Sequence, residues 1–184
     1  MSDRAPPAPS LPSRTVLLVD DEEEVRASLA RVLEREGYII SHASSGPEGL
    51  ELLRTQPIRL VISDHNMPGM SGLDFLKLVR ERHPNVCRIM LTGDPDPQVI
   101  IRSINEGEVY RFIKKPWDNT ALRVTVYFAF EALQLEEENR RLVAALRKHL
   151  GVVKELQEQF PYLAALIRDE ELLLAEADLL HPPD

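Results

Sequence analysis

One cysteine, Cys87, is all that the 184 residues contain, so no internal disulfide can brace this fold. Nothing at the N-terminus has the apolar core of a secretion signal, and the expected compartment is the cytoplasm. A basic run is missing too: the 22 Lys and Arg are scattered and outnumbered by 30 Asp and Glu, for a formal net charge of −8. With no helix-turn-helix pattern either, the balance argues against nucleic acid or an acidic membrane surface as a partner. What remains is enough for one ordinary domain with an appendage, and a domain of about 120 to 150 residues buries most of the surface its unfolded chain exposes.

Residues 1–13 hold Pro6, Pro7, Pro9 and Pro12 among small residues. Such a composition cannot offset chain entropy, and a disordered tail is expected there. From Thr15 short apolar runs alternate with amphipathic stretches. Thr15 to Val19, Tyr38 to Ser41, Leu60 to Ser63, Cys87 to Leu91 and Tyr110 to Ile113 read as strands. The first helical pattern sets Val25, Leu29, Val32 and Leu33 on one face and ends at Gly37. Gly46-Pro47, Gly72 and Pro97 open the next three. Regular alternation of this kind predicts an α/β fold: a doubly wound parallel sheet with helices on both faces over residues 14–127.

The last helical pattern runs past domain length. From Phe128 a seven-residue repeat places Ala132, Asn139, Leu146, Val153 and Phe160 at one seam position and Leu135, Leu142, His149 and Leu156 at the other. About four heptads of this spacing predict a coiled coil over residues 128–160, and a seam Asn favours a parallel two-stranded register, hence a parallel homodimer. Pro161 must end or break the helix. Residues 161–184 are acidic and leucine-rich, and short helices are the expectation there.

Polar residues of the types that phosphate chemistry uses end four of the five strands: Asp20-Asp21, Asp64, Thr92 and Lys115. In an open parallel sheet the ligand crevice lies beyond the carboxyl ends of the strands, so these residues should converge. Three carboxylates within a few ångströms repel by about 1 to 4 kcal/mol per pair and need a cation. Hard oxygen donors with room for water suit Mg²⁺. Taken alone, Asp20-Asp21 before Glu22 to Glu24 serves equally well as a helix cap. With Thr92, the approachable Gly93 and Lys115 before Pro116, the set has the carboxylate, hydroxyl and ammonium that phosphoryl transfer asks for.

These blocks resemble the receiver domain of two-component response regulators, the CheY-like family. The match runs through Leu17-Leu18-Val19-Asp20-Asp21, then Asp64-His65-Asn66-Met67-Pro68-Gly69-Met70-Ser71-Gly72 on the pattern D-x-x-M-P-x-M-x-G, then Leu91-Thr92-Gly93 and Phe112-Ile113-Lys114-Lys115-Pro116. The resemblance implies a flavodoxin-like five-stranded sheet of order 2-1-3-4-5. It implies that Asp64 accepts a phosphoryl group from a histidine kinase, and that Asp21, Asp64 and the backbone carbonyl of Asn66 bind Mg²⁺, with Asp20 acting through water. Lys115, rather than Lys114, would contact the phosphoryl group, its peptide bond to Pro116 being cis. Thr92 and Phe112 would form the switch, with Asp94 and Asn66 tuning the lifetime of the acyl phosphate.

The run from Asn105 to Phe112 with Pro116-Trp117-Asp118 resembles receivers that precede cyclic-di-GMP phosphodiesterases or ATP-driven transcription activators, although no such output domain is expected in these residues. His65 is expected to face solvent, His149 to be a hydrated seam residue and Cys87 a small core hydrophobe. Trp117 fits either a signalling surface or packing against the domain. The implied product is a phospho-accepting switch rather than an enzyme. A phosphorylation-independent scaffold using the helical tail is the alternative, and it gives no reason for the acid, hydroxyl and lysine set. An aspartyl phosphatase would need Asp-x-Asp after the first strand, and Asp20-Asp21-Glu22 does not supply it.

Overall fold

The computed structural model describes residues 14–93 and 108–159, apart from the side chains of 156–158. The expected proline-rich tail, the helix opened by Pro97, Asp94, the last two seam positions and residues 161–184 lie outside the described residues. The chain divides into two compact units, Met1–Gln134 and Leu135–Asp184.

Along the chain β1 (Thr15–Val19), α1 (Glu23–Glu34), β2 (Ile39–Ala43), α2 (Gly46–Thr55), β3 (Leu60–Asp64), α3 (Gly72–Arg82), β4 (Cys87–Thr92) and β5 (Arg111–Lys114), all in the first unit, are followed by the fourth described helix, α4 (Asn119–Gln159), whose residues fall in both units. The five strands are parallel in the order β2-β1-β3-β4-β5, the doubly wound arrangement expected. The second strand starts one residue later than its apolar run suggested and runs on to Ala43. Pairing with β1 extends it, since Leu18 stands opposite His42 and Val19 opposite Ala43.

Side chains alternate across the sheet. Val16, Leu18, Leu60, Ile62, Ile89 and Leu91 point to one face, where Leu29 and Leu33 of α1 and Leu122, Val126 and Ala129 of α4 cover them. Leu17, Val19, Val61 and Met90 point to the other, beneath Leu53 of α2 and Phe75, Leu76 and Val79 of α3. Leu17, Leu18, Leu60 and Ile62 are fully buried, each contributing about 1.5 to 3 kcal/mol relative to exposure. Cys87 is buried at the head of β4. Trp117 packs partly buried on the α1–α4 face, which decides between its two expected placements.

Helix ends are set locally. Ser45 accepts the N–H of Glu48, whose carboxylate in turn accepts the N–H and hydroxyl of Ser44, both at 2.7 Å. At α3, Ser71 and Asp74 exchange a similar pair of bonds. Gly37, at φ +81°, turns the chain out of α1.

In α4, Leu122, Val126, Ala129 and Leu133 belong to the first unit's core. The seam residues Leu135, Leu142, Leu146 and Val153 are all exposed on this single chain. His149 is exposed and places Nδ1 2.8 Å from the carbonyl of Ala145 in its own helix.

Candidate functional site

Strands β1 and β3 are neighbours, and the chain order reverses across them, so their carboxyl ends open on the sheet's switch point. Asp20 leaves β1 there and Asp64 ends β3, with 1% and 5% of their surfaces exposed. Two carboxylates buried this deeply need compensation. Lys115 supplies it from beyond β5, with Nζ 2.9 Å from Asp20 Oδ2 and 2.6 Å from Asp64 Oδ1. Lys114, the rival lysine, ends β5 opposite Thr92 and is exposed. The Lys115–Pro116 peptide is cis.

Burial works against the charge of Lys115. Hydrogen bonds to Asp64 and Asp20, with the charges of both, more than offset it and hold the ammonium above the ordinary lysine range. The remaining polar atoms are also occupied. Asp64 Oδ2 accepts the Asn66 N–H at 2.7 Å, and Asp20 Oδ1 accepts the Glu22 N–H at 2.9 Å. The Asp20 N–H donates to the Ala43 carbonyl at 3.2 Å, and the Asp20 carbonyl accepts from the Arg26 guanidinium. Helix α1 is capped by Glu22, whose side chain makes no capping bond, so the acidic pair is not this helix's cap.

Thr92, 3% exposed, ends β4, and its carbonyl receives the Lys115 N–H at 2.8 Å. Phe112 lies two register positions back, opposite Met90, half-buried toward the α2–α3 side. Asp64, Asp20, Lys115 and Thr92 thus come from four strand ends to one rim.

Asp21 departs from the expected trio, because it is exposed. Asp21 follows the end of β1 on a bend and faces solvent at the mouth of the pocket that Asp20 fills. Among the described residues no three His, Cys, Asp or Glu side chains form a set that could hold a metal ion by themselves. The donors nonetheless fit a hard cation. Two buried carboxylates face one ammonium, leaving a net negative charge before Asp21 is added, and Mg²⁺ usually completes its shell with water and substrate oxygens rather than a protein cage.

Other expectations shift as well. A Cβ at Gly93 would meet nothing within 4 Å, whereas one at Gly72 would stand 1.9 Å from the backbone oxygen of Asp64. Crowding therefore demands glycine at Gly72, where α3 starts against the end of β3. His65 is half-buried rather than solvent-facing, because its N–H donates to Leu91 and its carbonyl accepts from Gly72. Its Nδ1 is buried with no hydrogen-bond partner. Arg26 and the amide of Asn66 were not identified as site residues from the sequence. An arginine one turn into a helix carries no signal of its own, and a backbone N–H is invisible to residue type.

A family model described as the response regulator receiver domain matches residues 16–127. The hydrogenase transcriptional regulatory protein HoxA of Cupriavidus necator is 39% identical over 79% of this chain, which spans 30% of that protein. The signal receiver domain of an HD domain-containing protein from Pseudomonas fluorescens Pf-5 is 37% identical, with a TM-score of 0.62 over 65% of this chain and 96% of that one. The beryllofluoride-activated NtrC4 receiver domain dimer gives 30% identity and a TM-score of 0.62 over 65% of this chain and 98% of that one. HoxA is named for transcription, a connection with nucleic acid that charge and composition did not suggest, although the matched part is under a third of its length. Among the described residues no helix is long and apolar enough to cross a membrane.

Proposed function

Since the chain belongs to the response regulator receiver family, we propose that it is a phosphorylation switch in which Asp64 accepts a phosphoryl group from the phosphohistidine of a histidine kinase. The observation that carries this reading is the Lys115 ammonium held between Asp64 and Asp20. A phosphoryl group in transfer spreads negative charge over three oxygens and asks for positioning and counter-charge more than for covalent help. An oxygen of Asp64 bonds to phosphorus as the bond from the histidine nitrogen breaks. Asp21, Asp64 and the backbone carbonyl of Asn66 would hold Mg²⁺, with Asp20 contributing through water, and the ion would supply further charge neutralisation at the phosphoryl oxygens.

Lys115, already on the acceptor oxygen, moves with the new charge, which is about −1.5 to −2 for a phosphorylated side chain at neutral pH. Thr92 and Phe112 follow on the neighbouring strands, Asn66 and Asp94 set how readily water reaches the acyl phosphate, and the shift biases α4. Through α4 the signal reaches a coiled-coil dimer over residues 128–160 and, from there, a partner protein in the cytoplasm. A receiver domain dimer among the similar structures, matched over 65% of this chain, supports self-association in general rather than the coiled coil in particular.

Incubation with radiolabelled acetyl phosphate and magnesium tests it. Wild-type protein takes up label and Asp64→Asn takes up none; label retained on Asp64→Asn refutes the assignment. Equal partner binding by wild type and Asp64→Asn would instead favour the phosphorylation-independent scaffold.

A further inference from the structure

Helix α4 is apolar over a wider arc than one partner helix covers. With Asn139 at seam position a, Leu142, Leu146 and Val153 fall on a or d, but Val143 and Leu150 fall on e. Val143 is 42% exposed and Leu150 61%. A two-stranded coiled coil buries a and d and keeps e and g charged. An apolar e row extends the stripe to the breadth of a helix with two neighbours.

The same stretch is cationic. Between residues 139 and 154 stand Arg140, Arg141, Arg147, Lys148 and Lys154, with no acid among them. Residues 162–180 are the complement: leucine-rich, with Asp169, Glu170, Glu171, Glu176 and Asp178 against the one cation Arg168. Their reach suffices. Even at helical rise this stretch spans about 28 Å, against about 23 Å for residues 139–154. The tether is short, since α4 ends at Gln159, and a short tether gives an effective concentration on the order of millimolar.

We propose that residues 162–180 of this chain cover the e side of the α4 stripe, with their acids over its cations, while a second copy covers the a and d seam. The second half rests on the dimer reading above.

Light scattering and ANS fluorescence on the full chain test both halves separately. Wild type is expected at dimer mass with little ANS signal. Arg147→Glu, Lys148→Glu and Lys154→Glu together should raise ANS fluorescence about two-fold or more as apolar surface opens. Adding Asp169→Lys, Glu170→Lys and Glu171→Lys should return it to the wild-type level, and circular dichroism verifies that each variant keeps its helix. No rise on charge reversal, or a rise that the swap does not reverse, overturns the proposal. A trimer or tetramer mass for wild type also overturns it, because further copies would then be covering the stripe. A monomer mass with low wild-type ANS and a reversible rise refutes the dimer but upholds the covering by residues 162–180.

Discussion

Replacing Lys115 by Met keeps most of the side-chain volume and removes only the charge that compensates Asp20 and Asp64. Those carboxylates are 1% and 7% exposed at the side chain, and the lysine 21%. Removing one partner of a fully buried pair costs about 3 to 5 kcal/mol, because the other charge is left uncompensated. The partial exposure of Lys115 admits some water, so a loss of about 2 to 4 kcal/mol is expected without magnesium. With a urea m-value of about 2 kcal/mol/M, the midpoint should fall by about 1 to 2 M.

The cause is charge, so a second substitution should recover stability: Asp64→Asn in the Lys115→Met background is expected to regain at least about 1 kcal/mol. Lys115 titrates higher in the folded chain than in the unfolded one. Its stabilisation is therefore fully present below the unfolded lysine value of about 10.4 and lost as pH rises through the raised native value. The gap between wild type and Lys115→Met should stay constant from neutral pH to about pH 10 and narrow above it. Urea titrations that put Lys115→Met within about 0.5 kcal/mol of wild type, or a double variant no more stable than the single one, would defeat the electrostatic account.

Gly72→Ala drives a methyl group onto the Asp64 backbone oxygen, from 1.9 Å, so either α3 or the end of β3 must shift. A loss of about 1 to 3 kcal/mol or more, with slower acetyl phosphate labelling, is expected from thermal melts and uptake assays. Glu48→Gln weakens the bonds to Ser44 at the start of α2 and should cost no more than about 1 kcal/mol at neutral pH. Those bonds hold the Glu48 carboxyl below its usual range. The loss should accordingly be present above the unfolded glutamate value of about 4.3 and fade as pH falls through the lower native one, which urea midpoints between pH 3 and 7 would follow. Leu142→Glu with Leu146→Glu places charge on the exposed seam and should give monomer mass in light scattering while leaving the receiver's melting temperature unchanged.

Residue order alone determined a good deal about this molecule. The alternation of apolar runs with amphipathic stretches gave the parallel sheet, because each face of each strand must find a helix to cover it. Polar residues at strand ends announced the rim, since parallel strands bring all their carboxyl ends to one side. The resemblance to receiver domains chose Lys115, the residue before Pro116, over Lys114.

Three-dimensional packing decided the rest. It buried Asp20 and left Asp21 exposed, a difference that two identical side chains cannot express in sequence. It brought the Arg26 guanidinium to the Asp20 carbonyl and the Asn66 N–H to Asp64, contacts that depend on backbone path rather than residue type. It made glycine a necessity at Gly72, where α3 begins against the end of β3. Sequence periodicity is local and records which face of an element is apolar. Which polar atoms share a pocket depends on non-local approach within an ångström or two, and only the closed sheet fixes that.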